Sequence, residues 1–334
     1  MAATKVDTPE STYQKGAYAL TNSESEALHF IRALAFVLVF ILHLIQTFLP
    51  HIAGLFIFAI QLFFIISGYI FGKATVANWG GWLKKRFLRI YCPYLILLIT
   101  VIAIYMACGY AALLSPKLII GNLLLTEIFT GYIPGLFHFW FVSVIFICYL
   151  ITPLLQKVRK WKPYPLYCFL AIFIIFHIYY HLVPIYTLLF CIAYFLASAN
   201  NRDNIIIFSL SVATIAYLLI FGDVSLADFE NHTAVASLIK CSIGIIILFT
   251  SIAAFSKFRL HANKIIKVLS KYSYEAYLFH PILIFGPLSL LNVTTNFLLF
   301  SIVVIVLTFI CTLLLHHLSK YCEGYISNFS KATH

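Results

Sequence analysis

The stretch LHFIRALAFVLVFILHLIQTFLP, residues 28–50, decides the fold class. It exceeds the ~20 apolar residues that a helix needs to cross the hydrocarbon core of a bilayer. Backbone groups in hydrocarbon must pair within their own segment, and the apolar runs lack the alternation of barrel strands. The sequence therefore predicts an all-α polytopic membrane protein with about ten transmembrane helices. The nine further runs lie at 52–71, 90–107, 137–155, 164–182, 183–198, 204–221, 234–255, 272–291 and 295–315.

The composition supports a membrane protein and argues against several soluble classes. Of the 334 residues, 63% are hydrophobic and only 10% are charged, whereas soluble domains carry about 25% charged residues. The formal net charge of +11 would suggest nucleic acid in a soluble protein. Here the basic residues lie between apolar runs, so we expect membrane lipids and no nucleic acid as partners. The eight cysteines show no CxxC or Cys/His spacing, so neither a disulfide framework nor a metal site is predicted.

The basic residues also set the predicted orientation. With the N-terminus in the cytoplasm, 19 of the 22 Lys and Arg fall in cytoplasmic segments, which is the positive-inside pattern. The apolar segment 118–130 would reverse every later loop if it crossed the membrane, so we interpret it as an outer or re-entrant segment. A short turn at 181–184 is expected to join the fifth and sixth spans. The predicted parts are a polar cytoplasmic segment (1–26), a transmembrane domain (27–318) and a short cytoplasmic tail (319–334).

Two ionisable residues stand inside the first span. Arg32 and His43 are eleven residues apart, close to three helical turns, so both lie on one helix face about 16 Å apart along the axis. Ionisable residues within a span are costly and usually face a cavity or a partner. One interpretation is an interfacial arginine plus a histidine packed between helices. The other is functional, with Arg32 binding phosphate or a polar arm from the cytoplasm and His43 abstracting a hydroxyl proton.

A basic stretch, WLKKRFLRIYCPYL at 82–95, follows the second span. Arg86 and Arg89 are three residues apart and are neighbours if this stretch is helical. For Lys84 and Lys85 we favour an ordinary membrane anchor. For the two arginines, a paired site for an anionic cytoplasmic ligand competes with the anchor interpretation.

These elements, taken together and in order, resemble the membrane-bound acyltransferase-3 family over nearly the whole chain, 27–318. The resemblance implies O-acylation of envelope sugars or other small hydroxyl compounds, with an acyl donor, usually acetyl-CoA, that enters from the cytoplasm. It also implies the short, stand-alone type without an esterase-like C-terminal domain. The matching elements are Arg32-x10-His43, LFFIISGY (62–69), Arg86-x-x-Arg89 followed by a tyrosine and a proline, HFWF (138–141), TPLL (152–155) and SYEAYLFHP (273–281).

The site residues predicted from the residues and the resemblance fall into three groups. His43 is expected to be the catalytic base or acyl carrier, and no tightly bound cofactor or metal is expected. His280 is either a second polar group at the transfer site or a side chain that satisfies the carbonyl freed by Pro281. Glu127 either supports the acceptor site or is a solvated loop carboxylate. The donor-binding residues are Arg32, Arg86 and Arg89, and the acceptor or support residues are His280, His138, Trp140, Glu127 and Tyr69.

The function expected from this set is transfer of an acetyl group from cytoplasmic acetyl-CoA to a sugar hydroxyl in the bacterial inner membrane. The acceptor would be an envelope polysaccharide or a lipid-linked precursor, such as the O-antigen of lipopolysaccharide. The alternative is a glycan transporter in which Arg32 and His43 relay protons, although inverted repeats with broken helices are not detectable. A purely structural membrane subunit would leave both residues unexplained.

Overall fold

The computed structural model describes residues 13–14, 19–159, 183–199, 201–221 and 234–332. These residues are almost entirely helical. Two-residue strands, β1 (Tyr13–Gln14) and β2 (Thr75–Val76), pair antiparallel. The helices are α1 (Asn22–Gln46), α2 (Pro50–Gly54), α3 (Phe58–Gly72), α4 (Trp79–Ala107), α5 (Pro116–Leu123), α6 (Glu127–Thr130), α7 (Trp140–Val158), α8 (Val183–Leu196), α9 (Asn201–Phe221), α10 (Ala234–Lys257), α11 (Lys264–Ile284) and α12 (Phe297–Ala332).

Six helical stretches within the described residues are long and apolar enough to cross a membrane. A seventh, Ile185–Leu196, is apolar but shorter. The predicted span 164–182 and the loop 222–233 lie outside the described residues, as do residues 181 and 182 of the predicted turn at 181–184. The all-helical class is therefore confirmed, whereas the number ten and the orientation stay predictions. The six stretches are Asn22–Gln46, Pro50–Gly72, Trp79–Ala107, Phe137–Val158, Ile239–Lys257 and Phe297–Ser327.

Helix boundaries differ from the predicted spans at α4 and α11. Helix α4 begins at Trp79, where the Asn78 side chain accepts the N–H of Gly81 at 3.0 Å. The basic stretch is therefore helical and continuous with the third span. Helix α11 ends at Ile284 instead of at 291, because Phe285 is extended and Gly286 adopts φ +80°.

The segment 118–130 forms two short helices and no membrane-spanning one. Helix α5 has eight residues and begins at Pro116, with Ser115 as its N-cap. Helix α6 has four residues. Between them, Leu125 has φ +57°, a conformation that stops a helix formed by L residues. The prediction that this segment does not span the membrane is confirmed.

Close helix packing brings the core together around α3. A Cβ added at Gly68 would lie 2.1 Å from the carbonyl oxygen of Phe190, and one at Gly72 would lie 2.1 Å from that of Tyr194. Small residues four apart let two helix backbones approach in membranes. Gly68 and Gly72 are therefore packing residues, and α3 and α8 form the centre against which α1 and α7 pack.

Helices α1 and α11 position the site because they contact each other at two levels. At one level, His29 Nδ1 lies 3.0 Å from Ser270 Oγ. At the other, His43 meets His280. Thr21 fixes the start of α1 through a capping box with Glu24, which adds to helix stability. These two contacts fix the position of α11 along α1.

Candidate active site

A buried pair of histidines joins α1 to α11. His43 Nδ1 lies 2.9 Å from His280 Nε2, and the rings are stacked with centroids 5.0 Å apart. His43 is 6% exposed and His280 is fully buried. The rings of Phe137 and Phe285 pack edge-on against His43, at 6.2 and 5.7 Å. The deep histidine predicted in the first span therefore has a second histidine as its partner.

The hydrogen-bond partners determine which nitrogen of each neutral ring carries the proton. His280 Nδ1 lies 2.8 Å from the carbonyl oxygen of Ala276, and a carbonyl only accepts, so this nitrogen donates. His280 Nε2 must then accept, and His43 Nδ1 must donate to it. Nε2 of His43 is left with its lone pair and has no hydrogen-bond partner among the described residues. It is the nitrogen available as a base or nucleophile.

The contact to Ala276 also bears on the second interpretation of His280. Pro281 lacks an N–H, so the carbonyl it leaves without a helical partner is that of Tyr277, four residues earlier. The 2.8 Å hydrogen bond of the His280 ring goes to the preceding carbonyl, that of Ala276, and the ring also interacts with the Tyr277 carbonyl. His280 therefore does more than compensate for the proline, since its other nitrogen holds His43.

His138 is attached to the same turn of α11. Its Nε2 donates to the carbonyl oxygen of Leu278 at 2.9 Å, while the hydroxyl of Tyr277 donates to the His138 carbonyl oxygen at 2.7 Å. His138 is 1% exposed, and its Nδ1 is buried with no partner within the described ranges. An unpaired buried acceptor is costly, which marks this nitrogen as a candidate ligand contact.

A cavity of about 520 Å³ opens beside these helices, and three arginines line it. Arg32 comes from α1, whereas Arg86 and Arg89 come from α4. The Arg86 guanidinium lies over the rings of Phe71 and Trp82, at 5.0 and 5.8 Å. Arg32 and Arg89 form no ion pair with any residue in the described part of the chain. Three like charges around one cavity repel one another, so the cavity suits an anionic ligand.

The cavity ends short of the histidine pair. Its lining includes Tyr277 but neither His43 nor His280. Tyr277 precedes His280 by three residues, about 4.5 Å of helix rise, and their rings are 6.1 Å apart. Phe141 packs on the Tyr277 ring at 4.9 Å. An aromatic layer of Tyr277 and Phe141 therefore lies where the cavity ends, next to His280.

Two other predicted residues, Trp140 and Tyr69, take different positions. Trp140 stacks on Phe64 and packs on Tyr186, so it belongs to the core. The Tyr69 hydroxyl donates to Glu24 at 2.6 Å, and Lys73 contacts the same oxygen at 2.8 Å. This group lines a separate cavity of about 540 Å³. The structure does not bring Trp140 or Tyr69 to the histidines.

Glu127 is fully buried, so its interpretation as a solvated loop carboxylate is wrong. Ser143 donates a short hydrogen bond to Oε1, and Oε2 has no partner among the residues described. Burial raises the pKa of this carboxyl to about 7, against a smaller lowering by Ser143. The short helices α5 and α6 fold back against α7, which removes the carboxyl from solvent.

One polar pair in the cavity was missed by sequence reasoning. His316 Nδ1 lies 2.7 Å from Glu275 Oε1, and both side chains line the arginine cavity. The two residues are on different helices and 41 positions apart, so no local spacing signals their contact. Within the described ranges, no three His, Cys, Asp or Glu side chains come together as ligands for a metal ion.

Comparison with known proteins identifies the family to which the chain belongs. A family model described as an acyltransferase domain, that of the acyltransferase-3 family, matches residues 25–317. No curated protein matches the chain significantly, and no solved structure does. The match covers most of the chain and all of the histidines and arginines described above. The chain belongs to the acyltransferase-3 family of membrane acyltransferases.

Proposed function

We propose that this acyltransferase transfers an acetyl group from cytoplasmic acetyl-CoA to a sugar hydroxyl of an envelope polysaccharide or its lipid-linked precursor, such as O-antigen, in the bacterial inner membrane. The observation that carries the proposal is one arrangement along α1. An arginine-lined cavity lies at the level of Arg32, and a histidine with a free Nε2 lies about three turns further along the same helix. Donor binding and chemistry are thus separated along the membrane normal.

The donor half of the proposal rests on charge. Acetyl-CoA carries several phosphate charges and is too polar to cross a bilayer. Guanidinium groups bind phosphate with two parallel hydrogen bonds, and Arg32, Arg86 and Arg89 surround one cavity. With the phosphates held there, the thin pantetheine arm would extend past Tyr277 toward His43. The aromatic layer would have to open for the arm, as the cavity ends at that level.

Two routes for the chemistry use the same nitrogen. In direct transfer, Nε2 of His43 takes the proton of the sugar hydroxyl while the hydroxyl oxygen attacks the thioester carbonyl. The C–S bond then breaks, and the leaving thiolate takes the proton from Nε2. In the stepwise route, Nε2 itself attacks the carbonyl and the C–S bond breaks to release the thiolate. The hydroxyl oxygen then attacks the acyl-imidazole, the C–N bond breaks, and the hydroxyl proton passes to the thiolate. Both routes require the lone pair on Nε2, which the hydrogen bond to His280 leaves free.

The acceptor half of the proposal rests on His138, which is bound to α11 beside the histidine pair. We propose that Nδ1 of His138, buried without a partner among the described residues, accepts a hydrogen bond from a hydroxyl of the acceptor. Glu127 acts at a distance by fixing the segment 118–130 against α7 through Ser143. Trp140 and Tyr69 serve the packing of this scaffold.

The second candidate function is glycan transport with Arg32 and His43 as a proton relay. The hydrogen-bond chain from His43 runs through His280 and ends on the backbone carbonyl of Ala276. A helical carbonyl cannot take up and pass on a proton, so this chain fixes a tautomer better than it conducts protons. The geometry therefore favours the enzyme.

The test is acetyl transfer by the purified protein. Protein in detergent is given acetyl-CoA labelled in the acetyl group together with an envelope glycan acceptor. The proposal predicts label in the glycan with the wild type and none with the His43→Gln variant. Binding of acetyl-CoA without transfer to any hydroxyl acceptor, in a preparation that moves glycan across proteoliposomes, would overturn it in favour of transport.

A further inference from the structure

The proposed function leaves one polar pair in the cavity without a role. Glu275 on α11 and His316 on α12 are joined by a 2.7 Å contact between Oε1 and Nδ1. Their side chains are 10% and 12% exposed, respectively. Both line the cavity that contains the three arginines. A hydrogen bond that served only to join two helices would have no need to border this cavity.

The contact to Glu275 orients the imidazole. A carboxylate only accepts, so His316 Nδ1 carries the hydrogen and donates it. In the neutral ring, Nε2 then bears the lone pair. Nε2 has no hydrogen-bond partner among the residues described. The ring of Tyr272 packs edge-on against the imidazole at 4.8 Å and limits its rotation. His316 therefore offers this cavity a preoriented hydrogen-bond acceptor.

The position of the pair along the membrane normal restricts what it contacts. Helices α1 and α11 meet at His29–Ser270 and again at His43–His280. Glu275 lies midway between the two contacts on α11, about 7.5 Å from His280 along the helix axis. Arg32 is only one turn beyond His29. The pair therefore lies between the level of Arg32 and the level of the reactive nitrogen.

We propose that the Glu275–His316 pair binds an amide group in the linker arm of the acyl-thioester donor, with Nε2 of His316 accepting the amide N–H. The proposal rests on the proposed function, since it assigns a contact to the same donor. Phosphate is a poor ligand here because it offers no donor to Nε2 and is repelled by the Glu275 carboxylate. An amide N–H in the pantetheine arm matches both the level and the polarity of this position.

The test measures binding of three ligands to the purified protein in detergent. Coenzyme A contains both the nucleotide and the arm, 4′-phosphopantetheine contains the arm with one phosphate, and adenosine 3′,5′-bisphosphate contains the nucleotide alone. The His316→Phe variant keeps a planar ring without nitrogen. The matched control is His317→Phe, because His317 is exposed and does not line the cavity.

We expect His316→Phe to weaken binding of coenzyme A and 4′-phosphopantetheine about three- to tenfold, the usual net value of one hydrogen bond. Binding of adenosine 3′,5′-bisphosphate should stay at the wild-type level. Glu275→Gln, which still accepts from Nδ1, should have a smaller effect in the same direction. His317→Phe should bind all three ligands as the wild type does.

Two results would overturn the inference while leaving the proposed function intact. Unchanged binding of all three ligands by a folded His316→Phe variant would make the pair a helix–helix contact only. Weaker binding of adenosine 3′,5′-bisphosphate would place the contact on the nucleotide instead of the arm. If the wild type bound none of the three ligands, the donor assignment itself would be wrong.

Discussion

The hydrogen bond from His43 to His280 predicts the behaviour of a His280→Leu variant. Leucine has nearly the volume of histidine but accepts no hydrogen bond, so Nδ1 of His43 loses its only partner among the described residues. A buried polar group without a partner costs about 1–3 kcal/mol. The ring would escape this cost by turning or by moving its proton to Nε2, and either change removes the lone pair from the reacting position.

We therefore expect kcat to fall about 5- to 150-fold, which is the same free energy expressed as a rate. KM for acetyl-CoA should change little, because His280 does not line the arginine cavity. The assay is steady-state transfer by purified protein, with melting in detergent as the check of folding.

The matched control is Phe36→Leu. Phe36 packs edge-on against the His280 ring at 6.3 Å, so this change disturbs packing without removing the hydrogen bond. Its kcat should remain within a few-fold of the wild-type value. If His280→Leu and Phe36→Leu had equal kcat, the hydrogen bond would not hold His43 in its reactive form, and the tautomer argument would be refuted.

Three further predictions concern the donor site, the buried carboxyl and the topology. The double Arg86→Lys/Arg89→Lys variant keeps the charge but loses the planar donors, so KM for acetyl-CoA should rise about tenfold or more; wild-type kinetics would return both residues to the role of membrane anchors. The pKa of Glu127 is raised to about 7, so its ionisation destabilises the folded protein increasingly between about pH 4.5 and 7. Glu127→Gln should therefore melt higher than the wild type at pH 8 and nearly equally at pH 5, and the opposite order would contradict the assignment. Reporter fusions after residues 78, 160 and 262 should read cytoplasmic and a fusion after 228 periplasmic, whereas a periplasmic signal at 160 would break the ten-span prediction.

The sequence predicted the features of the site that depend on one helix. The 3.6-residue period is enough to place Arg32 and His43 on one face of α1, and apolar run length is enough to identify most spans. The same helical period predicts that Arg86 and Arg89, three residues apart, are neighbours. The structure adds that all three arginines line one cavity.

Contacts between helices that are distant in the chain could not be predicted from the sequence. His43 and His280 are 237 positions apart, and no local pattern encodes the register between α1 and α11. The same holds for Glu275 and His316. The burial of Glu127 is likewise not encoded locally, because it depends on how α5 and α6 fold back. The sequence does contain a signal for the end of α11 at Ile284, because Gly286 and Pro287 directly follow Phe285.

The proposed reaction depends on Nε2 of His43, and transfer by a variant without this nitrogen shows whether it does. Acetyl transfer is measured with purified, correctly folded His43→Gln, after acetyl-CoA binding by the same preparation is shown to match the wild type. Glutamine keeps hydrogen-bonding groups but supplies no base, and general-base contributions are about 10² to 10⁴-fold. We predict normal donor binding with transfer reduced by at least about 10²-fold. Transfer close to the wild-type rate would mean that His43 only packs against His280, and the search for the base would move to His280.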